Sequence, residues 1–164
     1  MGKVFKFNKD VDTDQIIASQ YLLFPTIDEM KMHTFESLNS EFAGSVVPGD
    51  FVVADENFGC GSSREQAPSV LKALGVKAVI AKSFARIFYR NSINIGLPIM
   101  ECPDAVDDIK AGDTVSVNFD TGVITNETTG HSFQAAPFPP FMQEIIECGG
   151  LINKINKKFD EENK

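Results

Sequence analysis

Arginine is scarce in this 164-residue chain: of 15 basic residues only Arg64, Arg86 and Arg90 are Arg, and all three lie in one central segment. Cysteine is scarce too. Cys60, Cys102 and Cys148 are odd in number and widely spaced, with no Cys-x-x-Cys pair and no His cluster, which excludes a disulfide framework or a zinc site within the chain. No apolar run reaches the length of a membrane-spanning helix, and Met1 to Lys6 lacks the apolar core of a signal peptide. Lys6 also stands where a myristoylation signal needs Ser or Thr. Positive charge is in deficit: a net charge of -8 and a pI near 4.7 argue against nucleic acid or an anionic membrane as the main partner. A cytoplasmic protein is expected. Internal repeats and long low-complexity tracts are absent, and 43% hydrophobic content suits one globular domain over residues 1–164.

What is present is a glycine-rich turn, Phe58-Gly59-Cys60-Gly61-Ser62-Ser63-Arg64-Glu65-Gln66, placed where a strand becomes a helix. Before it, Asp50 to Asp55 reads as a short buried strand; after it, Ala67, Val70, Leu71 and Leu74 recur at helical spacing. Gly59 and Gly61 let the backbone approach a ligand, and the unpaired amides of a new helix favour an anion. Ser62 with Glu65, or Ser63 with Gln66, also has capping-box spacing, so a well-capped helix is the competing reading. The clustering of Arg favours a carboxylate ligand, because guanidinium matches it with two parallel hydrogen bonds. For Arg86 and Arg90, pairing with surface Asp and Glu is an equal alternative. Cys60 reads either as a nucleophile of lowered pKa or, more simply, as filler in a tight turn.

Along the chain, strands and helices alternate. Val4 to Phe7 is a first strand, followed by a polar loop from Asn8 to Gln15 and a helix or turn through Ile16-Ile17-Ala18. Phe24 to Val47 is irregular to helical between Pro25 and Pro48. Gly75 stops the first long helix, whose Pro68 is comfortable only in the first turn, and Val76 to Ala81 is a buried strand. Ser83 begins a second helix carrying Phe84, Ile87, Phe88 and Ile95, and Leu97 to Glu101 is another strand before a linker from Val106 to Gly112. Thr114 to Phe119 and Val123 to Asn126 alternate as a hairpin that His131 to Gln134 extends. A final helix, Phe141 to Cys148, precedes a charged tail expected to fray over residues 153–164. The pattern predicts an α/β layered domain with mixed parallel and antiparallel strands.

Two motif readings fail. Asp10, Asp12 and Asp14 superficially suggest a calcium loop, but Gln15 replaces its turn Gly and Tyr21 its bidentate Glu. A P-loop is rejected because no Gly-Lys-Ser or Gly-Lys-Thr follows the glycines, although phosphate stays a secondary alternative for the anion.

Three segments together carry a family resemblance. Asp12-Thr13-Asp14-Gln15-Ile16-Ile17, Gly59-Cys60-Gly61-Ser62-Ser63-Arg64-Glu65 and Ala81-Lys82-Ser83-Phe84-Ala85-Arg86-Ile87-Phe88 occur in the order and spacing of 3-isopropylmalate dehydratase small subunits. The match runs from about Val4 to Ile152, including Glu147-Cys148-Gly149-Gly150-Leu151-Ile152. That family is similar to the swivelling C-terminal domain of aconitase, which implies a layered β/β/α swivelling domain.

The resemblance implies a half-enzyme. A separate large subunit would hold a [4Fe-4S] cluster through three cysteines with one iron open as a Lewis acid, while this chain binds no cofactor itself and closes over a small 2-hydroxy dicarboxylic acid. The cysteine spacings here agree, since they match no cluster-binding pattern. By the same carry-over Ser62 would be the base, as an alkoxide stabilised by backbone amides, the helix N-terminus and a neighbouring cation. Arg64 would bind a substrate carboxylate, Ser63 would add a hydrogen bond, and Asp14 would help organise proton transfer. Gly59, Gly61, Lys82, Ser83 and Arg86 would support the site, the last three either touching substrate or only holding the turn.

The loop Tyr21-Leu22-Leu23-Phe24-Pro25 would approach the variable substituent of the acid, and its apolar character suits an isopropyl or methyl group. Homoaconitase-like relatives tend to carry an arginine there for a third carboxylate, and none is present. Leu22 and Leu23 packing the core is the alternative. The expected activity is interconversion of 2- and 3-isopropylmalate in leucine biosynthesis. Its rivals are the 2,3-dimethylmalate, citramalate, methylcitraconate and homoaconitate reactions, or a non-catalytic anion-binding regulatory module. The presence of both Ser62 and Arg64 weighs against the last.

Overall fold

A computed structural model describes residues 1–163. Seven strands form one sheet: β1 (Gly2–Phe7), β2 (Phe51–Ala54), β3 (Ala78–Ala81), β4 (Ile99–Glu101), β5 (Thr114–Asn118), β6 (Val123–Asn126) and β7 (His131–Gln134), in the order β4-β3-β2-β1-β5-β6-β7. The β4-β3-β2-β1 half is parallel and the β1-β5-β6-β7 half antiparallel. Every residue of β2 and β3 is buried, which is why both read as unbroken apolar runs. The α/β class with mixed strands is as expected.

Eight helices join the strands: α1 (Thr13–Ile16), α2 (Ile27–Met30), α3 (Phe42–Ser45), α4 (Gln66–Ala73), α5 (Arg86–Ile95), α6 (Pro103–Asp108), α7 (Pro140–Glu147) and α8 (Leu151–Glu162). Crossovers α4 and α5 pack on each other, and α7 packs on α5. Helix α6 touches both β3 and the β6-β7 hairpin, strands far apart in the sheet order, so the sheet curls around it. Lys6 of β1 reaches that helix, its Nζ donating to Val106 O at 2.9 Å and Ile109 O at 2.7 Å, and so caps carbonyls that α6 leaves unpaired. Phenylalanine fills the core above β1: Phe7 stacks on Phe35 at 4.1 Å, and Phe42 meets Phe35 edge-on at 4.8 Å. Among the described residues no helix is long and apolar enough to cross a membrane.

Several local expectations change. The second long helix starts at Arg86 rather than Ser83, because Phe58 holds Ser83 to Ala85 extended: Phe58 N donates to Ser83 O at 3.1 Å, and Ala85 N to Phe58 O at 2.9 Å. The segment read as a linker from Val106 is partly helix α6, started by Pro103 at its first position. Phe24 to Val47 resolves into short turns of helix, α2 and α3 among them. Within the tail expected to fray over 153–164, residues to Glu162 belong to helix α8, which contacts α5 and α7 and carries Lys154 paired with Glu144 at 3.0 Å, and position 164 lies outside the described residues.

Candidate functional site

The loops leaving the carboxyl ends of β1, β2 and β3 meet at one edge of the sheet, the usual place for a ligand in an open α/β sheet. Main-chain bonds sew them together. Asp10 N donates to Glu56 O at 2.9 Å, Gly59 N to Val11 O at 2.7 Å, and Thr13 N to Cys60 O at 2.9 Å. Thr13 Oγ1 then donates to Ser62 O at 2.9 Å, and Asn57 N to Ser83 Oγ at 2.8 Å. The glycine-rich turn is thereby a fixed rim.

Gly59 and Gly61 both have positive φ, +83° and +90°. At Gly59 the close neighbour is the protein itself: a Cβ there would lie 2.2 Å from Phe88 Cγ, so the missing side chain admits the α5 aromatic rather than a ligand. Ser62 and Ser63 are exposed, and among the described residues their amides and hydroxyls have no hydrogen-bond partner within the chain. Neither serine caps α4. Its N-cap is Glu65, without a side-chain bond, and the reciprocal box lies instead at Asp12 and Gln15, starting α1. That Asp12-x-x-Gln15 spacing was readable in the sequence and marks the turn that brings Asp14 to the site.

Arg64 carries the main electrostatic feature. Its Nη1 donates to Asp14 Oδ1 at 2.9 Å and to Ile17 O at 3.1 Å. Among the described residues Nε and Nη2 have no partner, so one side of the fork is anchored and the other is available to a carboxylate. Asp14 Oδ1 also accepts from Ser19 N at 3.2 Å. The Arg64 guanidinium, followed by the Ser19 amide, holds the Asp14 carboxyl below its ordinary range, so Asp14 is a carboxylate at neutral pH.

The remaining expected residues divide. Lys82 pairs with Asp107 at 2.8 Å and Asp55 at 3.4 Å, and Ser83 accepts from Asn57, so both hold loops. Arg86 and Arg90 are exposed and, among the described residues, form no ion pair, contrary to the surface-pairing alternative. Burial, then Asp12 and Asp10, pushes the Cys60 thiol up, the direction opposite to that of an activated nucleophile. Tyr21 and Leu22 are half-buried against the core, whereas Leu23 is 88% exposed and Phe24 36%. Core packing therefore describes Leu22 but not Leu23. Thr13 escaped the sequence reading because its partner, the Ser62 carbonyl, is 49 positions away.

Comparison with known proteins identifies the family of the chain. The family model of the aconitase C-terminal domain matches residues 43–104. The 2,3-dimethylmalate dehydratase small subunit of Eubacterium barkeri is 57% identical over 94% of this chain and 95% of its own length. The 3-isopropylmalate dehydratase small subunit of Heliobacterium modesticaldum is 54% identical over 98% of this chain and 96% of its own. A crystal structure of 3-isopropylmalate dehydratase from Methanocaldococcus jannaschii superimposes with a TM-score of 0.93 at 42% identity, covering 99% of this chain and 96% of that one. The chain therefore belongs to the aconitase C-terminal family, among the small subunits of the 3-isopropylmalate dehydratase type.

Proposed function

We propose that this chain is the small subunit of a cytoplasmic hydro-lyase that interconverts 2-isopropylmalate and 3-isopropylmalate by dehydration and rehydration in leucine biosynthesis. The observation that carries the reading is the half-open Arg64 fork, anchored by ionised Asp14 beside an exposed Ser62 whose rim is rigidly sewn. Its exposure suits a site that a second polypeptide completes. Isomerisation removes a proton from the carbon next to a carboxylate, releases the neighbouring hydroxyl as water, and adds water back with the opposite regiochemistry. Ser62 is assigned as the base. The unpartnered Ser62 and Ser63 amides and the Arg64 cation are the groups available to stabilise its alkoxide.

Arg64 binds a substrate carboxylate through Nε and Nη2, Ser63 adds a hydrogen bond, and Asp14 keeps the guanidinium oriented. The partner is a large subunit carrying a [4Fe-4S] cluster, which supplies a Lewis acid for the departing hydroxyl. Among the described residues of this chain no three His, Cys, Asp or Glu side chains gather in a way that could hold a metal. The second reading is 2,3-dimethylmalate as the acid, favoured by the 57% identity to the Eubacterium barkeri subunit. The two acids differ by a few methyl groups, which a hydrophobic pocket separates by roughly 1–3 kcal/mol. The test is anaerobic assembly with the co-encoded large subunit and assay of both acids and citramalate, each subunit alone serving as control. Turnover in the mixture alone supports the half-enzyme, and the acid with the highest kcat/KM names it. No turnover by an intact, cluster-loaded complex would overturn the proposal.

A further inference from the structure

Phe35 has φ +58° with its side chain fully buried. A bulky residue is rarely found in that left-handed region, and such strain lasts only where the surrounding contacts impose it. Two sets of contacts do so here. The ring stacks on Phe7 at the end of β1 at 4.1 Å, meets Phe42 edge-on at 4.8 Å, and meets Phe58, the residue before Gly59, at 6.4 Å. The carbonyl accepts from Leu38 N at 2.9 Å and from Asn39 N at 2.8 Å.

In this conformation the Phe35 amide donates to Ile16 O at 2.8 Å. Ile16 ends α1, and the next carbonyl, Ile17 O, is the one that receives Arg64 Nη1 at 3.1 Å. Consecutive carbonyls of one segment therefore serve Phe35 and Arg64. Helix α1 has only four residues, too few to hold itself. Its start is fixed by the Asp12 and Gln15 box and its end by Phe35, with Asp14 between them. We propose that Phe35 is a positioning residue for carboxylate binding: its left-handed backbone, wedged by its buried ring, fixes the end of α1 so that Ile17 O and Asp14 hold one side of the Arg64 fork and leave the other free. The inference rests on the hydro-lyase reading and deepens it. Phe35 touches no reacting atom; it acts through α1.

The test compares Phe35→Leu with Phe42→Leu in the complete chain assembled with its large subunit. Phe42 is as deeply buried and touches the Phe35 ring, but its amide bonds to Asn39 O and not to α1. Both variants thin the same core, and only the first frees the wedge. Phe35→Leu should raise KM for 2-isopropylmalate roughly tenfold, near the low end of what one hydrogen bond to a charged group contributes. Its kcat should be little altered, the pattern of lost uniform binding. Phe42→Leu should leave KM near that of the wild type. A second arm needs no partner: NMR titration of the Asp14 carboxyl in the isolated full chain. The Arg64 guanidinium, then the Ser19 amide, hold that carboxyl below its ordinary range, and Phe35→Leu should let it rise toward that range while Phe42→Leu does not. If Phe35→Leu fails to fold, Phe35→Met, whose flexible side chain refills the gap without a ring to stack, carries the same expectations. An unchanged KM, an unchanged Asp14 titration, or an equal effect of Phe42→Leu each overturns the inference while leaving an active wild type's function intact. A wild-type complex inactive on every acid refutes the hydro-lyase reading and with it the link from Phe35 to the substrate.

Discussion

Replacing Gly59 with Ala should cost about 2–5 kcal/mol of folding stability, the sum of two separate contributions. Gly59 has φ +83°, and a residue with a Cβ in that left-handed region costs about 1–2 kcal/mol. The added Cβ would also lie 2.2 Å from Cγ and 2.4 Å from Cβ of Phe88, a buried side chain, and overpacking of that kind costs about 1–3 kcal/mol. The turn cannot retreat, because the Gly59 amide is bonded to Val11 O at 2.7 Å and Phe58 is tied to Ser83 and Ala85. Gly61 is the control. Its φ is +90° but its nearest neighbour would be Asp12 Cβ at 3.5 Å, so Gly61→Ala should lose only the conformational part, about 1–2 kcal/mol. Equilibrium urea unfolding of the isolated full chain measures both. A Gly59→Ala loss below about 1 kcal/mol, or one no larger than that of Gly61→Ala, would refute the account of Phe88 as a fixed wall.

Ser62→Ala should abolish turnover yet leave assembly with the large subunit intact, as read by co-purification; substantial residual activity would remove Ser62 from the role of base. Arg64→Lys should lower kcat/KM roughly 10- to 150-fold, because a point charge cannot serve Asp14, Ile17 O and a bidentate carboxylate together and at least one charge-assisted bond of about 1.5–3 kcal/mol is lost. Leu23→Arg should shift preference toward tricarboxylic acids and change stability by less than about 0.5 kcal/mol, since the side chain is outside the core; competition assays and thermal melts report each. Asp14 has a folded pKa depressed below 3.8, so its stabilisation is present above that unfolded value and is lost as pH falls through the folded one. Asp14→Asn should therefore flatten only the acid side of the stability profile. The effect should stay under about 1 kcal/mol because the carboxylate is largely exposed, and acid titrations of both proteins would show it.

Much of the parallel half was legible locally. β2 and β3 are buried on both faces and so appear as continuous apolar runs, and the Asp120-Thr121-Gly122 turn marks the hairpin after them. Two local readings gave way to contacts from far along the chain, which override local spacing. Ser83 looked like a helix start until Phe58, 25 positions earlier, claimed its carbonyl, and Ser62 looked like a cap although its carbonyl serves Thr13. The tail reads locally as charged coil, with Leu151, Ile152, Ile155 and Phe159 scattered among lysines and acids, whereas the structure makes residues 151–162 helix α8 in contact with α5 and α7 while those four side chains stay exposed.

From the sequence alone came the α/β class, the glycine-rich turn with its serines and arginine, and the three motifs in register that mark the family, all properties carried by neighbouring residues. The tertiary structure alone decided that Arg64 is anchored by Asp14 with half its fork free, that Lys82 is committed to Asp107 and Asp55, that Gly59 is required by Phe88, and that Leu23 points outward while Leu22 packs. Each of these depends on side chains brought together from different strand ends. Such distances are set by the pairing of β1, β2 and β3 and by the curl of the sheet, which no local spacing encodes.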